Sequence, residues 1–226
     1  MNNTIVNFLF KVFIRFIVVM TALPIHEYAH GLVAKKLGDP TAENMGRLDL
    51  NPFKHFDLFG TTLLLLTGFG WAKPVPVNPY YFKNRKSGMA LTALAGPVSN
   101  VLLATATLIV YKLIAFFIPV SSMVAYEVVS VMLQAFMIII TTNLGLAVFN
   151  LIPIPPLDGS KILAFFLPQR IIDTFYQYQQ IITLAMFAIL MFTNVLNYPL
   201  SIAQNFLYKI INFLTSFIDV IANNIH

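Results

Sequence analysis

The residues in this chain best suited to catalysis are two histidines and a glutamate within residues 26–30, which read His-Glu-Tyr-Ala-His. Residues four apart share one face of a helix, so His26 and His30 are placed to bind one metal ion. Glu27, between them, is of the type that activates water in zinc-dependent hydrolysis. The simpler alternative is two buried, hydrogen-bonded imidazoles, but a glutamate flanked by histidines in an apolar stretch is costly without a function.

The motif belongs to a chain with the composition of an integral membrane protein. Of its 226 residues, 58% are hydrophobic and 10% are charged, whereas soluble domains contain about 25% charged residues. This length predicts a single domain over residues 1–226, an all-α polytopic bundle of about five to six transmembrane helices. The chain has no cysteine, so a metal ion must be bound by histidine, aspartate or glutamate.

Long apolar runs indicate where the spans lie. The first covers about residues 4–37, the second about 87–118 and the third about 124–151. Two further runs, at about 178–196 and 200–222, complete the chain. The first run lacks the small-residue cleavage site of a signal peptide, so we expect it to be retained as a span.

A short element of a different kind is expected between the first and second spans. Residues 59–71 are apolar but too few to cross a bilayer comfortably. Residues 72–79 contain three prolines, which remove backbone donors and prevent a helix. The pattern predicts a re-entrant or β-like element packed against protein.

The distribution of basic residues indicates the orientation of the spans. Eight of the fourteen lysines and arginines lie within residues 35–86, and basic loops tend to remain in the cytoplasm. The first span then descends to the cytoplasm, the second rises and the third descends again. This order brings His26 and His30 to the depth of Asn150 and Asp158. No basic run alternates with aromatic residues, so nucleic-acid binding is not expected.

Asp158 is the natural third metal ligand, because a catalytic zinc takes three protein ligands and keeps one position open for water. It follows a proline-rich loop and precedes Gly159, a composition that equally suits a plain turn before a helix. Asn150 is placed to donate a hydrogen bond to an oxyanion or to substrate backbone, or merely to bond the irregular turn. The other candidates for third ligand are Glu43, His55, Asp57 and, on the opposite side of the membrane, Glu127.

Three segments together resemble the site-2 protease family of intramembrane metalloproteases. They are residues 26–30, residues 96–100 (Gly-Pro-Val-Ser-Asn) and residues 150–159 (Asn-Leu-Ile-Pro-Ile-Pro-Pro-Leu-Asp-Gly). Residues 46–52 and 70–76 also resemble the compact bacterial and archaeal branch of that family.

The resemblance covers about residues 15–165 and leaves residues 170–226 as additional transmembrane helices. It implies one zinc ion per chain, held by His26, His30 and Asp158, with Glu27 as the catalytic base. The implied substrate is a transmembrane segment of another protein, cut in a prokaryotic cell membrane near the cytoplasmic side. The alternative is a zinc-binding membrane protein without proteolytic activity, such as a transporter, but the repeat symmetry common in transporters is not visible.

Overall fold

The structure is a computed structural model that describes residues 2–67, 70–118, 122–193 and 195–225. The regular structure in these ranges is helical, and they contain no strand. The α-helices in chain order are α1 Asn2–Lys36, α2 Thr41–Asn44, α3 Leu58–Thr67, α4 Arg85–Phe117, α5 Met123–Asn150, α6 Asp158–Phe166, α7 Gln169–Gln177, α8 Gln179–Phe192, α9 Asn197–Leu214 and α10 Ser216–Ile225.

Among the described residues, three helices are long and apolar enough to cross a membrane: the Phe8–Lys36 part of α1, and all of α4 and α5. The pair α9 and α10, bent by 45° at their junction, adds a fourth candidate if it forms one span. These helices agree with the first three predicted runs and with an all-α polytopic membrane protein. The larger count of five to six is not confirmed, because α8 has only 14 residues and is too short to cross a bilayer.

The element between the first two spans begins with a helix, so the β-like form that the sequence offered as one alternative is wrong. Residues Leu58–Thr67 form the helix α3, and the Arg15 side chain of α1 donates to the carbonyls of Leu65 and Leu66 at its end. Consecutive leucines favour helix over strand when no partner strand is available. The following residues, 70–78, are irregular as the prolines require.

The centre of the bundle is built from α4, α5 and α9. Ala104 and Leu108 of α4 pack with Ile140 and Leu144 of α5 and with Ile211 of α9, and all five side chains are buried. Small residues such as alanine permit close approach of helices in a membrane. Many large apolar side chains remain on the outer surface of the helices, as expected for surfaces in contact with lipid.

One partly buried ion pair connects α4 to the bend between α9 and α10. The ammonium group of Lys112 lies 2.7 Å from Asp219 Oδ2 and donates to the Thr215 carbonyl at 3.4 Å. The Lys112 side chain is only 7% exposed. Ionisable groups within membrane helices are costly unless paired, so this contact holds the C-terminal helices against α4.

Replacing Lys112 by methionine is expected to loosen α10. The variant leaves Asp219 and the end of α9 without their donor, at a cost of about 1–3 kcal/mol. Hydrogen exchange of the α10 amides in detergent or nanodiscs should therefore accelerate. The matched control is Lys209→Met, which alters an exposed lysine on α9. Equal exchange rates in the two variants would contradict the anchoring role.

Candidate metal centre

His26 and His30 meet on one face of α1, as their spacing requires. Both residues are buried, and their rings pack edge to face with centroids 4.6 Å apart. Their Nε2 atoms are 3.0 Å from each other. Two ring nitrogens therefore point to the same place inside the bundle.

Asp158, the first residue of α6, completes the cluster. Its Oδ2 atom lies 3.2 Å from His26 Nε2 and 3.1 Å from His30 Nε2. An aspartate binds a metal ion in its deprotonated form, and Oδ2 is the oxygen placed to do so.

Gly159 explains how α6 can begin so close to the end of α5. A Cβ atom added at Gly159 would lie 2.3 Å from the Leu151 carbonyl oxygen and 2.4 Å from that of Ile152. No side chain fits between these backbones, so glycine is required at this turn. The close approach places Asp158 beside the histidines.

The outer nitrogens of both rings are held by α4. His30 Nδ1 donates to the Thr92 carbonyl at 2.7 Å, and His26 Nδ1 donates to Asn100 Oδ1 at 2.9 Å. A carbonyl oxygen only accepts, so Nδ1 of His30 carries the proton. In the neutral ring, Nε2 then presents its lone pair to the centre of the cluster.

A stripe of α4 with a spacing of four residues forms the wall behind the histidines. Thr92 faces His30, Asn100 faces His26, and Gly96 lies between them. A Cβ atom at Gly96 would come within 2.4 Å of His30 Nε2 and 2.6 Å of His26 Nε2. The absent side chain therefore leaves room for the two imidazoles.

The three inner atoms are a donor set that fits zinc. They are separated by 3.0–3.2 Å, close to the roughly 3.3 Å between ligands that lie about 2.0–2.1 Å from a tetrahedral zinc. Lone pairs and a carboxylate at such distances repel unless a proton or a metal ion lies among them. Within the part of the chain that the structure describes, no other group of three histidine, aspartate or glutamate residues converges in this way.

Glu27 is held by the proline-rich segment after α3. Its Oε2 atom accepts a hydrogen bond of 2.8 Å from the Val75 amide. Residues 74 and 76 on either side are prolines without an N–H group. Within residues 74–76, only Val75 therefore has an amide hydrogen to donate. This hydrogen bond holds the carboxylate of Glu27, which lies in the same turn of α1 as the histidines.

The other candidates for third ligand lie outside the cluster. Glu43 pairs with Lys35 on the surface at 2.6 Å. His55 is buried but donates to a backbone carbonyl, and Asp57 accepts from a backbone amide at the start of α3. Glu127 lies near the opposite end of α5 from Asn150. Glu43, His55 and Asp57 therefore have structural partners of their own, and Glu127 is far from the cluster along α5.

Asn150, predicted to contact substrate or an oxyanion, is the last residue of α5. Its Nδ2 donates to the Leu146 carbonyl one turn earlier, at 3.0 Å. The amide therefore bonds the helix α5 itself, not the irregular turn that the sequence offered as its alternative partner. A contact with substrate stays a prediction.

The sequence of the chain matches the model of a known family. The matching description is "Peptidase family M50", over residues 14–193, which include His26, His30 and Asp158. This is most of the chain. The protein therefore belongs to peptidase family M50, the site-2 protease family, a class of metalloproteases found in membranes.

One curated relative gives a more particular comparison. The chain is 46% identical over 158 residues to a Bacillus subtilis (strain 168) protein named "Putative zinc metalloprotease YwhC". The aligned region covers 67% of this chain and 68% of that protein. No solved structure matches the chain.

Sequence reasoning missed the partners that orient the site. Asn100 belongs to a segment that resembles the family, and the structure shows that its side chain bonds the ring of His26. Thr92 acts through its backbone carbonyl, so its side-chain type gives no signal. The four-residue spacing of Thr92, Gly96 and Asn100 was the available indication that one face of α4 meets the histidines.

Replacing Gly96 by alanine is expected to disrupt the centre without unfolding the bundle. The added methyl group would overlap both imidazoles, so zinc affinity should fall by at least about 10-fold. Chelator competition on purified protein measures this. Gly145→Ala on α5 is the matched control, because its nearest contact would be Gln204 Oε1 at 3.9 Å. Unchanged zinc affinity in the Gly96 variant would contradict the close packing described above.

Proposed function

We propose that this protein is an intramembrane zinc endopeptidase that hydrolyses peptide bonds within or near transmembrane segments of other membrane proteins. The observation that carries the proposal is the convergence of His26 Nε2, His30 Nε2 and Asp158 Oδ2, with Glu27 in the same turn of α1. Membership of a metalloprotease family supports it.

In this proposal His26, His30 and Asp158 hold one zinc ion per chain. When bound, zinc supplies a Lewis acid that lowers the pKa of water and polarises a carbonyl group. Asn100 and the Thr92 carbonyl keep the two imidazoles in the tautomer and orientation that ligation requires.

Glu27 is the proposed general base. It takes a proton from the attacking water and later transfers it to the nitrogen of the leaving amine. The bond from the Val75 amide fixes one carboxylate oxygen and leaves the other to handle the proton. Such positioned proton transfer contributes typically about 10²–10⁴-fold to the rate.

The proposed site lies near one membrane face. His30 is six residues, about 9 Å of helix, from the end of α1 at Lys36. Residues 35–86, from the end of α1 to the start of α4, carry eight of the fourteen lysines and arginines, which favours the cytoplasm for this face. We therefore place the active site toward the cytoplasmic side of a prokaryotic cell membrane.

The substrate must present an unwound backbone, because the carbonyls of a helix are occupied by their own hydrogen bonds. Asn150 is proposed to bond substrate backbone or the developing oxyanion. Its amide currently donates to Leu146, so the side chain must rotate to reach substrate. Partners are then the bilayer and a transmembrane protein, with no role for nucleic acid.

Glu27→Gln is expected to reduce cleavage of a membrane substrate by about 10²–10⁴-fold while zinc content stays at one per chain. The amide keeps the shape of the side chain but cannot accept the proton. Peptide cleavage and bound zinc are measured on the same preparation. The matched control is Glu43→Gln, which alters a surface glutamate paired with Lys35 and should cleave normally.

Two results would count against the proposal. Full cleavage by the Glu27→Gln variant would show that Glu27 is not the general base. Zinc transport into vesicles, without proteolysis in either form, would favour the transporter alternative.

Membranes that contain the Glu27→Gln variant should accumulate uncut substrate. The variant keeps its ligands and so its binding site, but lacks the base that completes hydrolysis. Quantitative comparison of membrane proteomes with those of wild-type cells measures the accumulation. Identical proteomes would argue against a proteolytic role in the membrane.

A further inference from the structure

The carboxylate of Asp158 has two oxygen atoms, and the structure gives them different partners. Oδ2 faces the two histidines at 3.1–3.2 Å. Oδ1 lies 3.1 Å from the ammonium group of Lys161. Lys161 is three residues further along α6, so both side chains share one face of the helix. The two oxygens are thereby turned in different directions.

Lys161 lies at a position where helix electrostatics do not favour a cation. It completes the first turn of α6, where the helix dipole favours negative charge. Its stem lines a cavity beside the loop prolines Pro153, Pro155 and Pro156, and its side chain is 40% exposed. The Asp158 side chain is only 8% exposed, so the ammonium group of Lys161 acts on a buried carboxylate, and its effect is to be sought in how that carboxylate is oriented.

We propose that Lys161 is a positioning residue that keeps Asp158 a ligand through one oxygen only. The inference rests on the proposed function, in which Asp158 holds zinc. A carboxylate free to rotate about its Cβ–Cγ bond can bring both oxygens to a metal ion. Lys161 retains Oδ1 and prevents this, so the position needed for water stays open.

Lys161 acts on the catalytic site indirectly, through its contact with Asp158. Its ammonium group reaches only the outer oxygen of Asp158 and neutralises part of the local negative charge. Removal of Lys161 should therefore alter coordination geometry first and catalysis as a consequence. The three ligands themselves remain in place.

The test uses the full chain in detergent or nanodiscs, with Co²⁺ in place of zinc. Coordination geometry is read from visible absorption, because four-coordinate cobalt absorbs more strongly than five-coordinate cobalt. Wild-type protein should give the intense four-coordinate spectrum. Lys161→Met should lose intensity as the second oxygen of Asp158 joins the metal, and cleavage by the zinc form should fall about 10–100-fold. Lys161→Arg, which retains the cation, should restore both.

Lys86→Met is the matched control for a merely structural effect. Lys86 of α4 donates to the Leu167 carbonyl at the opposite end of α6, at 2.7 Å. Its loss loosens α6 without contacting the carboxylate. The cobalt spectrum of this variant should equal that of wild type.

The possible results separate a failure of the role of Lys161 from a failure of the metal site itself. A wild-type spectrum from the Lys161→Met protein would overturn the role of Lys161 while leaving the metal site intact. The same spectral loss in the Lys86→Met protein would also overturn it, because general loosening of α6 would then suffice. If wild-type protein binds no cobalt, or binds it equally after His26→Ala, the metal site fails and this inference fails with it.

Discussion

The structure depends on a repulsion that must be relieved: two imidazole nitrogens and a carboxylate oxygen face one another at about 3 Å in the interior of a membrane bundle. Such a cluster is unfavourable unless a proton or a metal ion lies among the three atoms. Asn100 and the Thr92 carbonyl hold the two rings from behind and keep their Nε2 atoms turned toward Asp158. The protein thus holds together a set of donors that a bound cation can stabilise.

Three parts of the chain contribute, and each is placed by a local constraint. Helix α1 supplies the histidines by simple periodicity. Helix α4 approaches them closely because Gly96 has no side chain, and α6 approaches the end of α5 because Gly159 has none. The two glycines therefore determine the geometry of the centre although neither offers a donor atom. Close backbone approach, here as elsewhere in membranes, is achieved with the smallest residues.

Much of this could be predicted from the sequence, for identifiable reasons. The spacing of His26 and His30 and the order of the spans were enough to bring Asp158 to the same depth. Contacts made by backbone groups could not be predicted from residue types. The Thr92 carbonyl and the Val75 amide are backbone groups, present at nearly every position. The apolar run at residues 59–71 left a re-entrant and a β-like element open, because short apolar runs suit either helix or strand until their packing is known.

The ion pair between Lys112 and Asp219 has a consequence for biosynthesis. The two residues are 107 positions apart, and synthesis at about 5–20 residues per second separates their appearance by roughly 5–20 seconds. During this interval Lys112 belongs to a newly made apolar helix whose counter-charge does not yet exist. Its insertion is costly until α10 arrives. The charge of Lys112 in α4 is therefore balanced only after a helix 107 positions further along the chain has been made.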